Sequence, residues 1–173
     1  GYGDVRETWA NSVTRRFGTD FHLENILVTV CAASGMNVIL KTVLDPGDEV
    51  IVFAPYFMEY GAYVRNYDGV LVTVSPDISS FQPNIEEFKE KITGRTKAVI
   101  INTPNNPTGV VYSAKTLERI GAVMREKEAE YGTSIVLLSD EPYRELAYDG
   151  VEVQYVTPFY HNNVVCYSYR QSL

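Results

Sequence analysis

The chain has 173 residues, of which 45% are hydrophobic and 21% are charged, and its formal net charge is −7. This length is typical of one domain, and the composition is that of a globular protein. The negative charge argues against a nucleic-acid or anionic membrane partner, and no apolar run reaches the ~20 residues that a membrane span needs. A phosphate-bearing ligand stays open, because local backbone amides can bind phosphate whatever the global charge.

The residue types that usually hold metals are scattered along the sequence. Cys31 and Cys166 are far apart and lie in apolar runs, so we expect two buried thiols in a reducing, cytoplasmic compartment. His22 and His161 stand alone, and no metal site is predicted. The chain begins at Gly1 without a methionine, which suggests an excised or engineered segment.

Apolar, β-branched runs alternate with helical patterns along the chain. In chain order they predict a helix at 4–17, a strand at 26–30, a helix at 34–44, a strand at 49–53, a helix at 56–66, a strand at 70–74, a helix at 85–91, a strand at 98–102, a helix at 114–131, and strands at 134–139 and 164–169. The strands are short and continuously apolar, which favours a parallel sheet covered on both faces. The sequence therefore predicts an α/β fold, with a mostly parallel, doubly wound sheet of about six strands and helices on both faces.

Residues that follow the strands are the candidate site residues, because ligands of open α/β sheets lie beyond the carboxyl ends of the strands. After the first predicted strand, small residues that include Ala32 and Ala33 open a helix, and their amides can cradle a phosphate. The alternative is an ordinary tight turn. After the second, Tyr56 and Phe57 can stack on a flat ring, or they pack in the core.

The fourth and fifth predicted strands end in polar segments. The sequence NTPNNPTG at 102–109 predicts a defined turn whose asparagine amides can donate to a ring oxygen. In SDEPY at 139–143, a buried Asp140 needs a cation or hydrogen-bond donors, and a protonated pyridine nitrogen is one such partner. Asp140 lies three residues before Tyr143, so both can face one pocket. A turn without a ligand and an Asp that caps the next turn are the alternatives.

Together these segments resemble the large domain of the fold type I, class I aminotransferases, of the bacterial aspartate and aromatic aminotransferase type. The most specific motifs are NNPTG at 105–109 and DEPY at 140–143, and LDPGDEV at 44–50 and APYF at 54–57 are also similar. The resemblance covers nearly the whole chain and implies one truncated large domain at 1–173. It further implies pyridoxal 5′-phosphate (PLP) as cofactor, and a parent reaction that transfers an amino group between an amino acid and a 2-oxo acid.

The resemblance assigns four residues to the pyridine ring of the cofactor. Asp140 would pair with the ring nitrogen and keep it protonated, while Tyr143 and Asn106 would hydrogen-bond the 3-oxygen. Phe57 would stack on the ring face.

The resemblance assigns four more residues to the phosphate. The amides of Ala32 and Ala33, with the hydroxyl of Ser168, would hold it. Tyr2 is similar to the family tyrosine that reaches the phosphate of the neighbouring subunit, which implies a homodimer.

The sequence departs from the family at the residue that performs the covalent chemistry. In the family a lysine follows the phosphate-binding serine by three positions, binds the cofactor covalently and moves the substrate's α-proton; here that position is Gln171. An amide can do neither, and Arg170 stays protonated. The next phosphate arginine and the small domain are also absent from the sequence. We therefore expect no catalytic residue, no transamination, and only weak, non-covalent PLP binding.

Two alternatives to a PLP-binding domain remain. The chain can be a truncated or engineered structural or oligomerising α/β domain with no cofactor, or one piece of a complete aminotransferase. The family also has an antiparallel strand between the first and last strands of this chain. Without it, we expect strand 26–30 to pair with strand 164–169 and close a six-stranded sheet; the alternative is an edge filled by another chain.

Overall fold

Five short strands form the centre of the computed structural model, which describes residues 1–168. They pair side by side in the order β2-β1-β3-β4-β5, and every pair is parallel. This confirms the predicted α/β fold with a parallel sheet. The strands are β1 (Glu49–Phe53), β2 (Val70–Val74), β3 (Thr96–Asn102), β4 (Val136–Asp140) and β5 (Asn163–Cys166).

Helices cover both faces of this sheet. They are α1 (Gly3–Phe17), α2 (Ala32–Val43), α3 (Glu59–Arg65), α4 (Ile85–Lys91) and α5 (Ala114–Tyr131). Alternate strand residues point to opposite faces: Ile51 packs in the core cluster with Phe88 of α4, whereas Val52 packs in the cluster with Leu40 of α2. All five residues of β1 are buried, which is the physical reason that residues 50–53 are continuously apolar rather than alternating.

Local signals in the sequence define the ends of the longest helix. The Ser113 side chain accepts a hydrogen bond from the Thr116 amide at 3.1 Å and caps the start of α5. Gly132 ends α5 in the left-handed conformation, with a φ of 64°, and its amide donates to the Glu128 carbonyl at 2.9 Å. The predicted bounds of this helix are confirmed.

The predicted strand at residues 26–30 is wrong, and so is its pairing with the last strand. Residues 26–30 lie outside every strand, and Leu27 and Val30 are 69% and 96% exposed. A strand needs a neighbour to satisfy its amides, and an apolar composition does not supply that neighbour. Within residues 1–168 the sheet therefore has five strands rather than six, and β5 pairs only with β4.

Two smaller expectations also need correction. The predicted helix at 56–66 begins only at Glu59, so the preceding residues form a loop after β1. Cys166 is buried as expected, but Cys31 is exposed, because the segment before α2 is not part of the sheet. Among the helices of residues 1–168, none has the length and apolar character needed to cross a bilayer.

We expect Gly121→Ala to destabilise the fold, because a Cβ at this position in α5 would lie 2.3 Å from the carbonyl oxygen of Phe159. The resulting overpacking should lower the free energy of unfolding by about 1–3 kcal/mol in urea denaturation. Gly3→Ala is the matched control, because no atom lies within 4 Å of its added Cβ. Equal stability of the two variants would contradict the packing of α5 against residue 159.

Candidate functional site

A cavity of about 220 Å³ lies where β3 and β4 end and α2 begins. This is the carboxyl edge of the sheet, where the topology of open α/β folds places ligands. Six of the eight predicted site residues line it: Ala32, Ala33, Phe57, Asn106, Asp140 and Tyr143. The remaining lining residues are Cys31, Met36, Glu59, Tyr63, Asn102 and Pro142.

Asp140, the last residue of β4, places a buried carboxylate in the wall of the cavity. Only 8% of the residue is exposed. Its Oδ2 accepts a hydrogen bond from the Tyr60 hydroxyl at 2.6 Å, while its Oδ1 is buried and has no partner within residues 1–168. Burial raises the pKa of Asp140 to about 6, although the Tyr60 hydrogen bond opposes the rise. The site therefore contains a buried acceptor atom without a donor.

Tyr60, which the sequence analysis missed, holds that carboxylate in place. Its side chain extends from α3 and is 1% exposed. Burial and the neighbouring Asp140 charge raise the pKa of Tyr60 well above its usual value. The hydroxyl therefore stays protonated and donates a hydrogen bond to Asp140. The two residues are 80 positions apart, and no motif in the sequence connects them.

Asn102 connects the ends of β3 and β4. Its Nδ2 donates to the backbone carbonyl of Asp140 at 2.8 Å, and its Oδ1 accepts from the Asn106 amide at 2.7 Å. Asn106 in turn places its Nδ2 at 3.4 Å from the hydroxyl of Tyr143. The prediction that Asp140 and Tyr143 face one pocket is thereby confirmed, and Asn106 lies beside them.

Asn105, the neighbour of Asn106, builds the turn rather than the cavity wall. Its Oδ1 accepts from the amide and the hydroxyl of Thr108 at 3.1 and 2.7 Å. Its Nδ2 donates to the carbonyl of Pro55 at 3.2 Å, which ties the turn to the loop that carries Phe57. The segment 102–109 is therefore both a defined turn and part of the site.

The amino end of α2 closes another side of the cavity. Ala32 and Ala33 are the first two residues of this helix. Amides in the first turn of a helix have no acceptor within the helix, and the helix dipole adds partial positive charge there. This end of α2 is thus suited to an anionic group.

A buried ion pair fixes the segment that carries Tyr143. Arg144 Nε donates to Glu141 Oε2 at 2.6 Å, and the side chains are 4% and 0% exposed. Ser139 donates to the other carboxylate oxygen at 2.7 Å. Arg144 also donates to the carbonyls of residues 153 and 154, both at 2.7 Å. The Glu141 carboxylate and the Arg144 guanidinium are thus both hydrogen-bonded. Tyr143 lies between these two fixed residues in the chain.

The two remaining predicted residues do not line the cavity. Ser168 is buried, two positions beyond the end of β5. Tyr2 is 83% exposed and precedes α1. Gln171, which the resemblance noted in the sequence places at the position of the family lysine, lies outside the described residues.

Comparison with known proteins finds similarity to aminotransferases. A family model described as aminotransferase class I and II matches residues 1–169. The aspartate/prephenate aminotransferase of Thermus thermophilus is 38% identical over 152 residues, which are 87% of this chain and 38% of that protein. The aspartate aminotransferase of Thermotoga maritima is 38% identical over 149 residues, which are 86% and 38% respectively. The chain thus spans about 38% of the length of the curated relatives it matches.

Solved structures show the same partial coverage. An aminotransferase from Eubacterium rectale has a TM-score of 0.96 and 39% identity, over 98% of this chain and 43% of that one. The Thermus thermophilus aspartate aminotransferase with maleate has a TM-score of 0.87 and 35% identity, over 95% and 42%.

We expect Asp140→Asn to stabilise the fold at pH 7.5 but not at pH 4. The folded chain holds the Asp140 proton more tightly than the unfolded chain. The free energy of unfolding that this proton contributes is present below pH 3.8 and is lost as the pH rises through about 6. The neutral Asn side chain avoids that loss. At about 1.4 kcal/mol per pKa unit, the loss is on the order of 3 kcal/mol.

Urea denaturation at both pH values measures this difference. The exposed Asp149→Asn variant is the control, because it removes the same charge from a loop. An Asp140→Asn variant whose advantage is the same at pH 4 and pH 7.5 would contradict the burial of an ionised Asp140.

Proposed function

The chain belongs to the class I and II aminotransferase family, and on that premise we propose that its cavity binds PLP without a covalent bond. The observation that carries the proposal is the buried Oδ1 of Asp140, which has no partner within residues 1–168. A buried acceptor without a donor destabilises a fold by about 1–3 kcal/mol. A protonated pyridine nitrogen supplies both a donor and a positive charge, so the residues present fit this cofactor.

Asp140 would hold the proton on the ring nitrogen. PLP, when bound, supplies an electron sink for reactions at the α-carbon of an amino acid. The Asp140 carboxylate keeps that sink effective because it stabilises the protonated ring, and Tyr60 holds the carboxylate through its hydrogen bond of 2.6 Å. A cation beside Asp140 would also lower its pKa from about 6 and keep it ionised at neutral pH.

Three other side chains would fix the orientation of the ring. Asn106 and Tyr143 meet at 3.4 Å on one wall, where both can donate to the 3-oxygen. Phe57 would cover a face of the ring, and its own ring packs edge-on against Tyr60 with centroids 5.6 Å apart. This contact supports Phe57 as a fixed platform rather than a mobile surface side chain.

The phosphate would lie at the amino end of α2, bound by the amides of Ala32 and Ala33. Amides in the first turn lack an acceptor within the helix, and together with the helix dipole this supports the assignment. We assign the hydroxyl of Ser168 to the same group on the family resemblance. Tyr2 would reach the phosphate of a second copy in a homodimer, and its 83% exposure leaves it accessible for that contact.

We propose that the reaction of the parent family, amino transfer between an amino acid and a 2-oxo acid, does not occur in this chain alone. Gln171 occupies the position of the proton-moving lysine, and an amide side chain does not act as a general base at neutral pH. The chain would bind the cofactor as a cytoplasmic protein and leave it unreacted. Formation of any keto acid above a control without protein would overturn this part of the proposal.

The first test is binding of PLP and of its 4′-deoxy analogue, which cannot react with lysines. We expect both to raise the melting temperature saturably, by several degrees at a hundredfold excess over Kd, because they bind only the folded state. Asp140→Asn should remove the shift, since its amide offers no negative charge to the ring. Asp149→Asn, the charge-matched loop variant, should retain it. No shift in the unsubstituted chain would favour a structural domain without a cofactor.

The second test restores the missing lysine. We expect Gln171→Lys to form a covalent PLP adduct that borohydride reduction makes permanent, with peptide mass mapping to position 171. The Gln171→Arg variant is the control, because it adds the charge without a reactive amine. Labelling confined to surface lysines in both variants would contradict the assignment of position 171 to the cofactor site.

A further inference from the structure

We propose that Glu59 makes this site selective by charge, so that it favours amino acids with a cationic side chain over those with an anionic one. The inference rests on the proposed function, because it names the class of amino acid that the same cavity would hold beside the cofactor. It concerns a residue that the sequence motifs did not single out.

The charges that line the cavity have one sign. Asp140 and Glu59 contribute two carboxylates, and within residues 1–168 the lining includes no Lys, Arg or His. The ring nitrogen of the cofactor would neutralise Asp140. Glu59 would remain as the charge that a bound amino acid meets.

Among residues 1–168, no cationic side chain pairs with Glu59. Its Oε2 accepts a hydrogen bond from the hydroxyl of Tyr63, and within the described part of the chain it has no salt-bridge partner. This bond fixes the carboxylate. Burial raises the pKa of Tyr63 above its usual value, and the hydrogen bond to Glu59 and the charge of Glu59 raise it further. A fixed and uncompensated carboxylate attracts a cationic group and repels an anionic one.

The position of Glu59 in the cavity matches the side chain of a substrate rather than the cofactor ring. Asp140 is 8% exposed, whereas Glu59 is exposed at the start of α3, and both line the cavity. In a pyridine ring, the carbon that carries the reactive group of PLP is para to the nitrogen. A ring whose nitrogen meets the buried Asp140 therefore directs that carbon, and the amino acid joined to it, away from Asp140.

Three stable adducts of reduced PLP with amino acids can test the selectivity without catalysis. They are the N-(5′-phosphopyridoxyl) derivatives of L-ornithine, L-norvaline and L-glutamate, whose side chains are cationic, neutral and anionic. Their affinities for the 173-residue chain can be measured by calorimetry at low salt. Since exposed charge pairs contribute up to about 1 kcal/mol each, the ornithine adduct should bind about tenfold more tightly than the glutamate adduct, with norvaline between them.

Variants at position 59 separate charge from shape. Glu59→Gln keeps an acceptor for Tyr63 and should bring the three affinities within about twofold of one another, while Glu59→Lys should reverse their order. Glu118→Gln is the matched control, because it removes an exposed carboxylate from α5 on the other face of the sheet and should leave the order unchanged. Raising the salt concentration should also reduce the preference in the unsubstituted chain.

The outcomes distinguish this inference from the proposed function. Tight binding of all three adducts with equal affinity, or with glutamate preferred, would overturn the role of Glu59 and leave PLP binding intact. A preference for ornithine that persists in Glu59→Gln would also overturn it. Failure of all three adducts and of PLP to bind would overturn both.

Discussion

The Asp140 carboxylate is buried at the end of β4, and within residues 1–168 only one of its oxygens is hydrogen-bonded. The arrangement of the candidate site depends on this carboxylate. Burial in a low-dielectric region disfavours the charged form, and for this reason the pKa of Asp140 rises to about 6. The Tyr60 hydroxyl offsets part of the cost, and Asn102 fixes the backbone of the same residue at 2.8 Å. These contacts orient the other oxygen, but no donor within residues 1–168 forms a hydrogen bond with it.

Much of the fold could be predicted from the sequence because burial dictates it directly. β1 is buried at all five positions, and its sequence is accordingly a run of apolar residues after Glu49. The same logic misassigned residues 26–30, where Leu27 and Val30 are as apolar as any strand residue yet largely exposed. Apolar composition indicates that a segment can be buried, but the neighbouring strand that would bury it is a property of the whole sheet.

The candidate site could be predicted in part, because chain order places some of its residues and only tertiary contact places the others. Asp140 and Tyr143 share a motif, and the sequence was sufficient to bring them to one pocket. Tyr60 contacts Asp140 from a helix 80 positions earlier, and a lone tyrosine in a helical pattern carries no signal of that contact. Glu59 was missed for a related reason, since an exposed Glu at the start of a helix is ordinarily a solvated residue with a favourable dipole.

The contacts that would bind a cofactor and the group that would react with it are physically separable in this fold. The proposed binding would draw on the ends of β3 and β4, the loop after β1 and the amino end of α2. By the family resemblance, covalent reactivity would depend on one amine at one position, where this chain has Gln171. The destabilising carboxylate of Asp140 nevertheless remains, and because the described chain offers it no second donor, a cationic ligand is the partner that would offset its cost.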